Sequence, residues 1–256
     1  YDNKISFFYM DKNQVASFRR SESEKENFSK LKDLFNSSSL GDQKIDYLPL
    51  YLKRQDLMRI LFFQELYMKI LNVHGVIMEF GCRWGSNLSV MTALRGIYEP
   101  YNHNRKILGF DTFSGLTNIS DTKDKPSEFI KEGSYKTSTN YAEELRQILL
   151  CLESACPISH IVKNQIIEGD VRKTLPTYLD NNPQTVIAFA YLDMDIYEPT
   201  KSTLEAILPY LTKGSIIGFD EMNWDICPGP TRALDEVIGL SNCRILRSPL
   251  QPIPGY

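Results

Sequence analysis

The sequence predicts an α/β fold in which a mostly parallel sheet carries helices on both faces. From residue 76 onwards, short apolar runs rich in β-branched residues alternate with stretches of helical periodicity, which is the pattern of successive βαβ units. An acid or a glycine follows each apolar run, as expected where ligands gather beyond the carboxyl ends of parallel strands. At 256 residues the chain has room for one such domain.

The part of the chain before the first strand predicts a helical cap. Phe28, Leu31, Leu34 and Phe35 share helical spacing within residues 23–35. A longer helix is predicted over residues 50–73, where apolar residues recur at intervals of three and four, and His74-Gly75 ends it. We therefore divide the chain into an N-terminal cap or substrate lid, residues 1–74, and a main domain, residues 75–256.

The main domain is predicted to contain five strands and four helices. The strands are predicted at 76–80, 106–111, 166–168, 186–193 and 215–220. The helices are predicted at 86–98, 141–152, 172–180 and 200–211, the last ended by Lys213-Gly214. Residues 117–139 are polar and contain Pro126 and Gly133, so we predict a long functional loop there.

Composition excludes several classes of function. The formal net charge is -3, which offers no strong field to recruit nucleic acid or an anionic membrane, so neither is an expected partner. The longest apolar runs are far shorter than a bilayer-spanning segment, and we expect a cytoplasmic protein. The five cysteines lack zinc-site spacing.

The ends of the first three predicted strands offer groups for one nucleoside-containing ligand. The first, E-F-G-C-R-W-G-S at 79–86, lacks the glycine spacing of a dinucleotide site or a P-loop. Gly81 and Gly85 would let backbone approach a ligand closely, while Ser86 and the helix N-terminus offer donors to a carboxylate such as that of a methionine moiety. Asp111 could accept from ribose hydroxyls and Asp170 from an adenine amino group.

A second acidic group follows the fourth and fifth predicted strands. Adjacent parallel strands would bring Asp193, Asp220 and Glu221 together, which is costly through mutual repulsion unless a cation neutralises them. Oxygen ligands suit Mg²⁺ or Ca²⁺ and disfavour zinc. We leave Asp195 out of this set. The alternative is that these acids cap the following helices or pair with basic residues, namely Lys201, Lys213 or Arg232.

Five segments in order carry a family resemblance over roughly residues 76–240. They are E-F-G-C-R-W-G-S-N (79–87), G-F-D-T-F-S-G-L (109–116), E-G-D-V-R-K-T-L-P (168–176), Y-L-D-M-D-I-Y-E-P-T (191–200), and G-F-D-E (218–221) followed by P-G-P-T-R-A-L-D-E (228–236). With these segments the chain resembles the macrocin O-methyltransferase family, which methylates sugar hydroxyls in antibiotic biosynthesis.

The resemblance implies a Rossmann-like class I methyltransferase fold, S-adenosylmethionine as cofactor, a small-molecule sugar acceptor and a homo-oligomer. It also implies a divalent cation, usually Mg²⁺, held by Asp193, Asp220 and Glu221. The family commonly has two aspartates at the last pair, whereas this chain has Asp-Glu, which leaves the identity of the metal open.

We therefore predict an O-methyltransferase in which Asp193 touches the metal and takes the proton of an acceptor hydroxyl as general base. Its acceptor is predicted to be a nucleotide sugar, a polysaccharide or a glycosylated natural product. Three alternatives stay open: a phenol or amine acceptor, a non-catalytic nucleotide-binding module, and an NAD-dependent oxidoreductase, which the glycine spacing disfavours. The predicted cofactor-binding residues are Glu79, Phe80, Gly81, Gly85, Ser86, Asp111, Thr112, Phe113, Asp170 and Val171.

Overall fold

A computed structural model describes residues 21–251 and 253–256 of the chain. The chain divides into two compact units, a smaller one that ends at Leu57 and a larger one, Met58–Tyr256. We predicted a division after residue 74, so the structure groups most of the second helix with the main domain. Residues 1–20 of the predicted cap lie outside the described part, and the lid function of the cap stays a prediction.

The smaller unit contains the predicted first helix. Helix α1 (Glu22–Asn36) begins with a capping box in which the Ser21 hydroxyl accepts from the Glu24 backbone and the Glu24 side chain accepts from the Ser21 backbone. Two 3₁₀ turns follow at Gly41–Ile45 and Leu48–Tyr51. The rings of Phe35 and Tyr51 meet edge to face at 5.0 Å.

Helix α2 (Arg54–Ile70) starts in the smaller unit and continues into the larger one. Its buried residues are Phe62, Phe63, Leu66, Tyr67 and Ile70. Leu57 and Leu61, which also lie in the predicted helix, are exposed. Three aromatic residues together with Leu66 and Ile70 therefore form the packed side of this helix.

The larger unit is built on five parallel strands in the order β3-β2-β1-β4-β5. The strands are β1 (Val76–Phe80), β2 (Ile107–Asp111), β3 (Asn164–Glu168), β4 (Ile187–Leu192) and β5 (Leu211–Phe219). The helices between and after them are α3 (Ser86–Tyr98), α4 (Tyr141–Ser154), α5 (Val171–Asn181), α6 (Tyr197–Ile207) and α7 (Gly229–Val237). This arrangement confirms the predicted α/β fold.

Alternating strand residues feed two cores, one on each face of the sheet. Ile77, Phe189 and Tyr191 pack with buried residues of α2, α3 and α4. Met78 and Ala190, their neighbours along the strands, pack with residues of α5, α6 and α7. Both faces are covered by helices, as predicted, which is why these strands are almost continuously apolar.

The structure departs from the predicted elements at three points. Helix α6 ends at Ile207 rather than at Leu211, because Pro209 lacks the N–H that would continue the helix, and a 3₁₀ turn follows. Strand β5 then begins at Leu211, so Gly214 lies inside a strand instead of ending a helix. Helix α7 was not predicted: it is short and opens with Gly229-Pro230, which looks like a loop in the sequence.

The predicted long loop is present, since the segment between Asp111 and Tyr141 contains no helix or strand. Within residues 21–251 and 253–256, no helix is long and apolar enough to cross a membrane.

Candidate functional site

The carboxyl ends of the strands meet along one edge of the sheet, and most of the predicted site residues lie there. Backbone N–H groups just beyond the strands bond to the neighbouring strand at 2.8–3.0 Å; the donors are Gly81, Gly169, Asp193 and Asp220. The strand order reverses between β1 and β4, so this edge contains the switch point at which open α/β sheets bind ligands.

The two glycines after β1 are required by the protein's own packing. Gly81 has φ +88°, and a Cβ there would lie 1.8 Å from the Asp193 carbonyl oxygen. Gly85 has φ +71°, and a Cβ there would lie 2.3 Å from Leu145 Cδ1. We predicted that these glycines allow close approach of a ligand. The structure shows that contacts within the fold already exclude a side chain at both positions. Ser86 begins α3 at this point and is exposed.

Glu79 is a buried carboxyl group at the end of β1. Its Oε1 accepts a hydrogen bond from Asn87 Nδ2 at 2.6 Å, while Oε2 is buried without a partner among the described residues. Burial raises the pKa of Glu79 to about 8, although the hydrogen bond from Asn87 acts to lower it. Glu79 is therefore largely protonated at neutral pH.

Asp111 joins the loops that follow β1 and β2. Its Oδ2 accepts from the backbone N–H of Arg83 at 2.7 Å, and its Oδ1 accepts from that of Phe113 at 2.6 Å. Both donors have positive φ, +46° for Arg83 and +54° for Phe113. Thr112, between them in the second loop, donates its hydroxyl to Gly115 O at 3.1 Å. A carboxylate has about four acceptor sites, so Asp111 keeps acceptor capacity for ribose hydroxyls.

Asp170 is the N-cap of α5. Helix capping is the structural alternative to ligand binding for an acid that follows a strand. Its Oδ1 accepts from the Arg172 backbone N–H at 3.0 Å, and its Oδ2 pairs with Arg172 Nη2 at 2.5 Å. The hydrogen bonds from the Arg172 side chain lower the pKa of Asp170. Its predicted contact with adenine stays a prediction beside this structural role.

Two other predicted cofactor residues point their side chains into the core. Phe80 is fully buried and stacks on Phe110 with 5.0 Å between ring centroids. Val171, the first residue of α5, is buried in the same cluster. Only the backbone of these residues can contribute at the strand ends.

The structure brings together the three predicted metal ligands. One carboxylate oxygen from each of Asp193, Asp220 and Glu221 lies within 4.8 Å of the other two. Burial and then the Asp220 carboxylate raise the pKa of Asp193, and burial and then Asp195 raise that of Glu221. The repulsion expected from the sequence is therefore present at the ends of β4 and β5.

Arg59, on helix α2, lies against this acid cluster and was not predicted. Its Nη1 bonds to Asp220 Oδ1, and its Nη2 lies 3.4 Å from Asp193 Oδ2. No motif marks Arg59, since it stands 134 and 161 residues before its two partners in the chain. An arginine inside a helix that packs on the sheet was the available signal.

Tyr191 is a second residue that the sequence analysis missed. Its hydroxyl donates to Asp220 Oδ1 at 2.5 Å from the interior of β4. Burial acts to raise the pKa of Asp220, but Arg59 and the hydrogen bond from Tyr191 outweigh it and hold that pKa below its usual value. Asp220 is therefore the most firmly ionised acid of the cluster.

The acid cluster fits a hard divalent cation. Its donors are all carboxylate oxygens, and Glu221 Oε2 is buried without a hydrogen-bond partner in the described part of the chain. Asp195, which we left out of the ligand set, lies outside this group of three and hydrogen-bonds through its side chain to Glu221. The backbone of Asp195 has a positive φ of +61°.

Two solved structures of one enzyme are similar to almost the whole chain. The calicheamicin methyltransferase CalS11 is 40% identical with a TM-score of 0.89, over 98% of this chain and 97% of that chain. An apo structure of CalS11, described as a TDP-rhamnose 3'-O-methyltransferase of calicheamicin biosynthesis, is 40% identical with a TM-score of 0.81, over 92% of this chain and 94% of that chain.

The O-methyltransferase NovP is 16% identical with a TM-score of 0.57, over 77% of this chain and 78% of that chain, a likeness of fold alone. No protein-family model matches the sequence, and no curated protein matches it either.

Proposed function

The chain belongs to the macrocin O-methyltransferase family, with a Rossmann-like class I methyltransferase fold and S-adenosylmethionine-dependent O-methyltransferase activity, and from this premise we propose that its acceptor is a sugar hydroxyl. The likeness to CalS11, described as acting on TDP-rhamnose, supports a nucleotide sugar as the first acceptor to test. A polysaccharide or a glycosylated natural product would present the same hydroxyl chemistry.

We also propose that the reaction depends on a divalent cation held by Asp193, Asp220 and Glu221. The observation that carries this proposal is the approach of their three carboxylates within 4.8 Å. When bound, S-adenosylmethionine supplies the methyl group, and a cation such as Mg²⁺ supplies positive charge that lowers the pKa of an acceptor hydroxyl.

Asp193 is proposed as the general base. Its backbone bonds to Phe80 O, at the strand whose loop carries the predicted cofactor residues, and its side chain belongs to the acid cluster. Asp193 therefore connects the strand that leads to the predicted cofactor residues with the acid cluster. Asp193 would take the proton of the acceptor hydroxyl while the oxygen receives the methyl group from the sulfonium, leaving S-adenosylhomocysteine.

Methyl transfer to TDP-rhamnose, other nucleotide sugars, catechols and amines tests this proposal, each with Mg²⁺ and with a chelator. We expect turnover with a sugar, its loss on chelation and its recovery with Mg²⁺. Asp193→Asn should lower kcat by at least about 100-fold, in the range of one lost acid–base group. Asp180→Asn, an exposed aspartate on α5, is the control.

Three results would count against separate parts of the proposal. Turnover with a phenol or an amine alone would contradict the sugar acceptor. Full activity in chelator would contradict the metal. Normal kcat in Asp193→Asn would remove the base.

A further inference from the structure

The guanidinium of Arg59 is a cation that already contacts two of the proposed metal ligands. Nη1 bonds to Asp220 Oδ1 and Nη2 lies 3.4 Å from Asp193 Oδ2, so the group spans the two carboxylates. Its Nε donates to Asn87 Oδ1 at 3.3 Å. All three nitrogens of the guanidinium thus have a polar partner at this edge of the sheet.

Two aromatic rings hold the guanidinium in this position. Arg59 Cζ lies 5.0 Å from the Phe63 ring centroid and 5.4 Å from that of Tyr191, distances at which a cation is attracted to a ring. About a quarter of each partner side chain is exposed, 26% for Asp193 and 24% for Asp220. The arrangement is therefore a built counter-ion site rather than a chance surface pair.

The same carboxylates, Asp193 and Asp220, cannot serve both cations without cost. Asp220 Oδ1 already accepts from Arg59 and from the Tyr191 hydroxyl, so both of its lone pairs are engaged. A divalent cation between the same carboxylates would also lie close to a fixed positive charge, and like charges repel strongly in a partly buried site.

We propose that Arg59 is an internal competitor for the divalent cation: it neutralises the acid cluster when no metal is bound, and it must withdraw from Asp193 or Asp220 when metal binds. This inference rests on the metal site proposed above. Arg59 would thereby lower the affinity of the site for metal. The acid cluster would have a positive counter-ion both without metal, when it is Arg59, and with metal bound.

Titration of Mg²⁺ alone into the chelator-treated protein, by calorimetry without cofactor or acceptor, tests the proposal. Arg59→Gln and Arg59→Met remove the charge, and we expect them to bind Mg²⁺ at least about tenfold more tightly. Arg59→Lys keeps the charge but not the planar fork that spans both carboxylates, so its Mg²⁺ affinity should lie between that of wild type and that of the neutral variants. Arg146→Gln is the matched control, because Arg146 is a partly exposed arginine of α4 that pairs with Glu143 and donates to Ile166 O.

Thermal unfolding with and without Mg²⁺ is the second readout. Without metal, the Gln and Met variants should melt below wild type, because the partly buried carboxylates of Asp193 and Asp220 lose their counter-ion. Mg²⁺ should raise the Tm of these variants more than that of wild type. Phe63→Leu retains Arg59 but removes one ring that holds it, so it should strengthen Mg²⁺ binding to a smaller degree than loss of the charge. This variant also tests the proposal if the Arg59 variants do not fold.

The outcomes separate this inference from the metal proposal. Equal Mg²⁺ affinity in wild type, Arg59→Gln and Phe63→Leu would overturn competition and leave the metal site standing. Weaker binding in the Gln variant would make Arg59 a residue that positions the ligands, and would also overturn competition. No Mg²⁺ binding by any variant would overturn both.

Discussion

The Tyr191 hydroxyl donates a hydrogen bond of 2.5 Å to Asp220 Oδ1, which joins the interior of β4 to the acid cluster at the end of β5. Tyr191 is 1% exposed, and its ring packs edge to face on Phe63 at 4.9 Å. The core of the sheet therefore fixes the orientation of one proposed metal ligand.

Tyr191→Phe should lower both stability and activity. The ring contacts remain, but a hydrogen bond to a carboxylate is lost, so we expect the free energy of unfolding to fall by about 1–3 kcal/mol. Urea unfolding measures the change. Tyr98→Phe is the control, since Tyr98 is exposed and accepts a hydrogen bond from the neutral amide of Gln64; its effect should stay within about 0.5 kcal/mol. Equal effects of the two variants would contradict the role of the Asp220 bond.

Glu79 should make the cofactor-free protein less stable as pH rises. Its pKa in the folded chain is about 8 because of burial, above the value of an unfolded glutamate. Between roughly pH 4.5 and 8 the folded state holds a proton that the unfolded state has released, so its contribution to stability declines across this window and is lost above it.

Glu79→Gln tests this titration, since glutamine keeps an acceptor for Asn87 and carries no charge. The variant should show a flatter decline of unfolding free energy with pH, by up to about 1.4 kcal/mol per pH unit. Denaturant titrations at several pH values from 5 to 9 give both slopes. Parallel curves for the two proteins would rule out titration of Glu79 in this range.

Asp111→Asn should weaken cofactor binding. Both carboxylate oxygens of Asp111 accept from backbone N–H groups, of Arg83 and of Phe113. An asparagine must turn its NH₂ group toward one of these donors, so one of the two loops loses its anchor. We expect the affinity for S-adenosylhomocysteine to fall at least about tenfold by calorimetry, whereas Asp180→Asn should leave it unchanged. Wild-type affinity in Asp111→Asn would contradict the predicted ribose site.

Asp170 offers a test that separates a helix cap from a ligand contact. Asp170→Ala should destabilise the chain by about 1 kcal/mol through loss of the N-cap of α5. Asp170→Ser keeps a capping oxygen and should restore most of that stability. If Asp170 binds adenine as predicted, the Ser variant should still bind S-adenosylhomocysteine more weakly. Full recovery of affinity in the Ser variant would reduce Asp170 to its structural role.

The strands could be predicted because their signal is local. An apolar run followed by glycine or acid marks the end of a buried parallel strand, and β1 was predicted with its observed bounds. Helix α7 escaped prediction because it has only nine residues and opens with Gly229-Pro230, residues that also mark turns. The start of β5 was missed because the apolar residues up to Leu211 were assigned to the preceding helix, although Pro209 ends α6 at Ile207.

By itself the sequence determined which acids stand at the strand ends, and hence that Asp193, Asp220 and Glu221 would meet. The carboxyl ends of neighbouring parallel strands lie at the same edge of a sheet, so residues that directly follow them lie close together. Only the tertiary structure decided which charge faces those acids. Arg59 reaches them because α2 packs across the sheet next to β4, and an ion pair between residues so distant in the chain depends on helix orientation and side-chain direction, which no local pattern encodes.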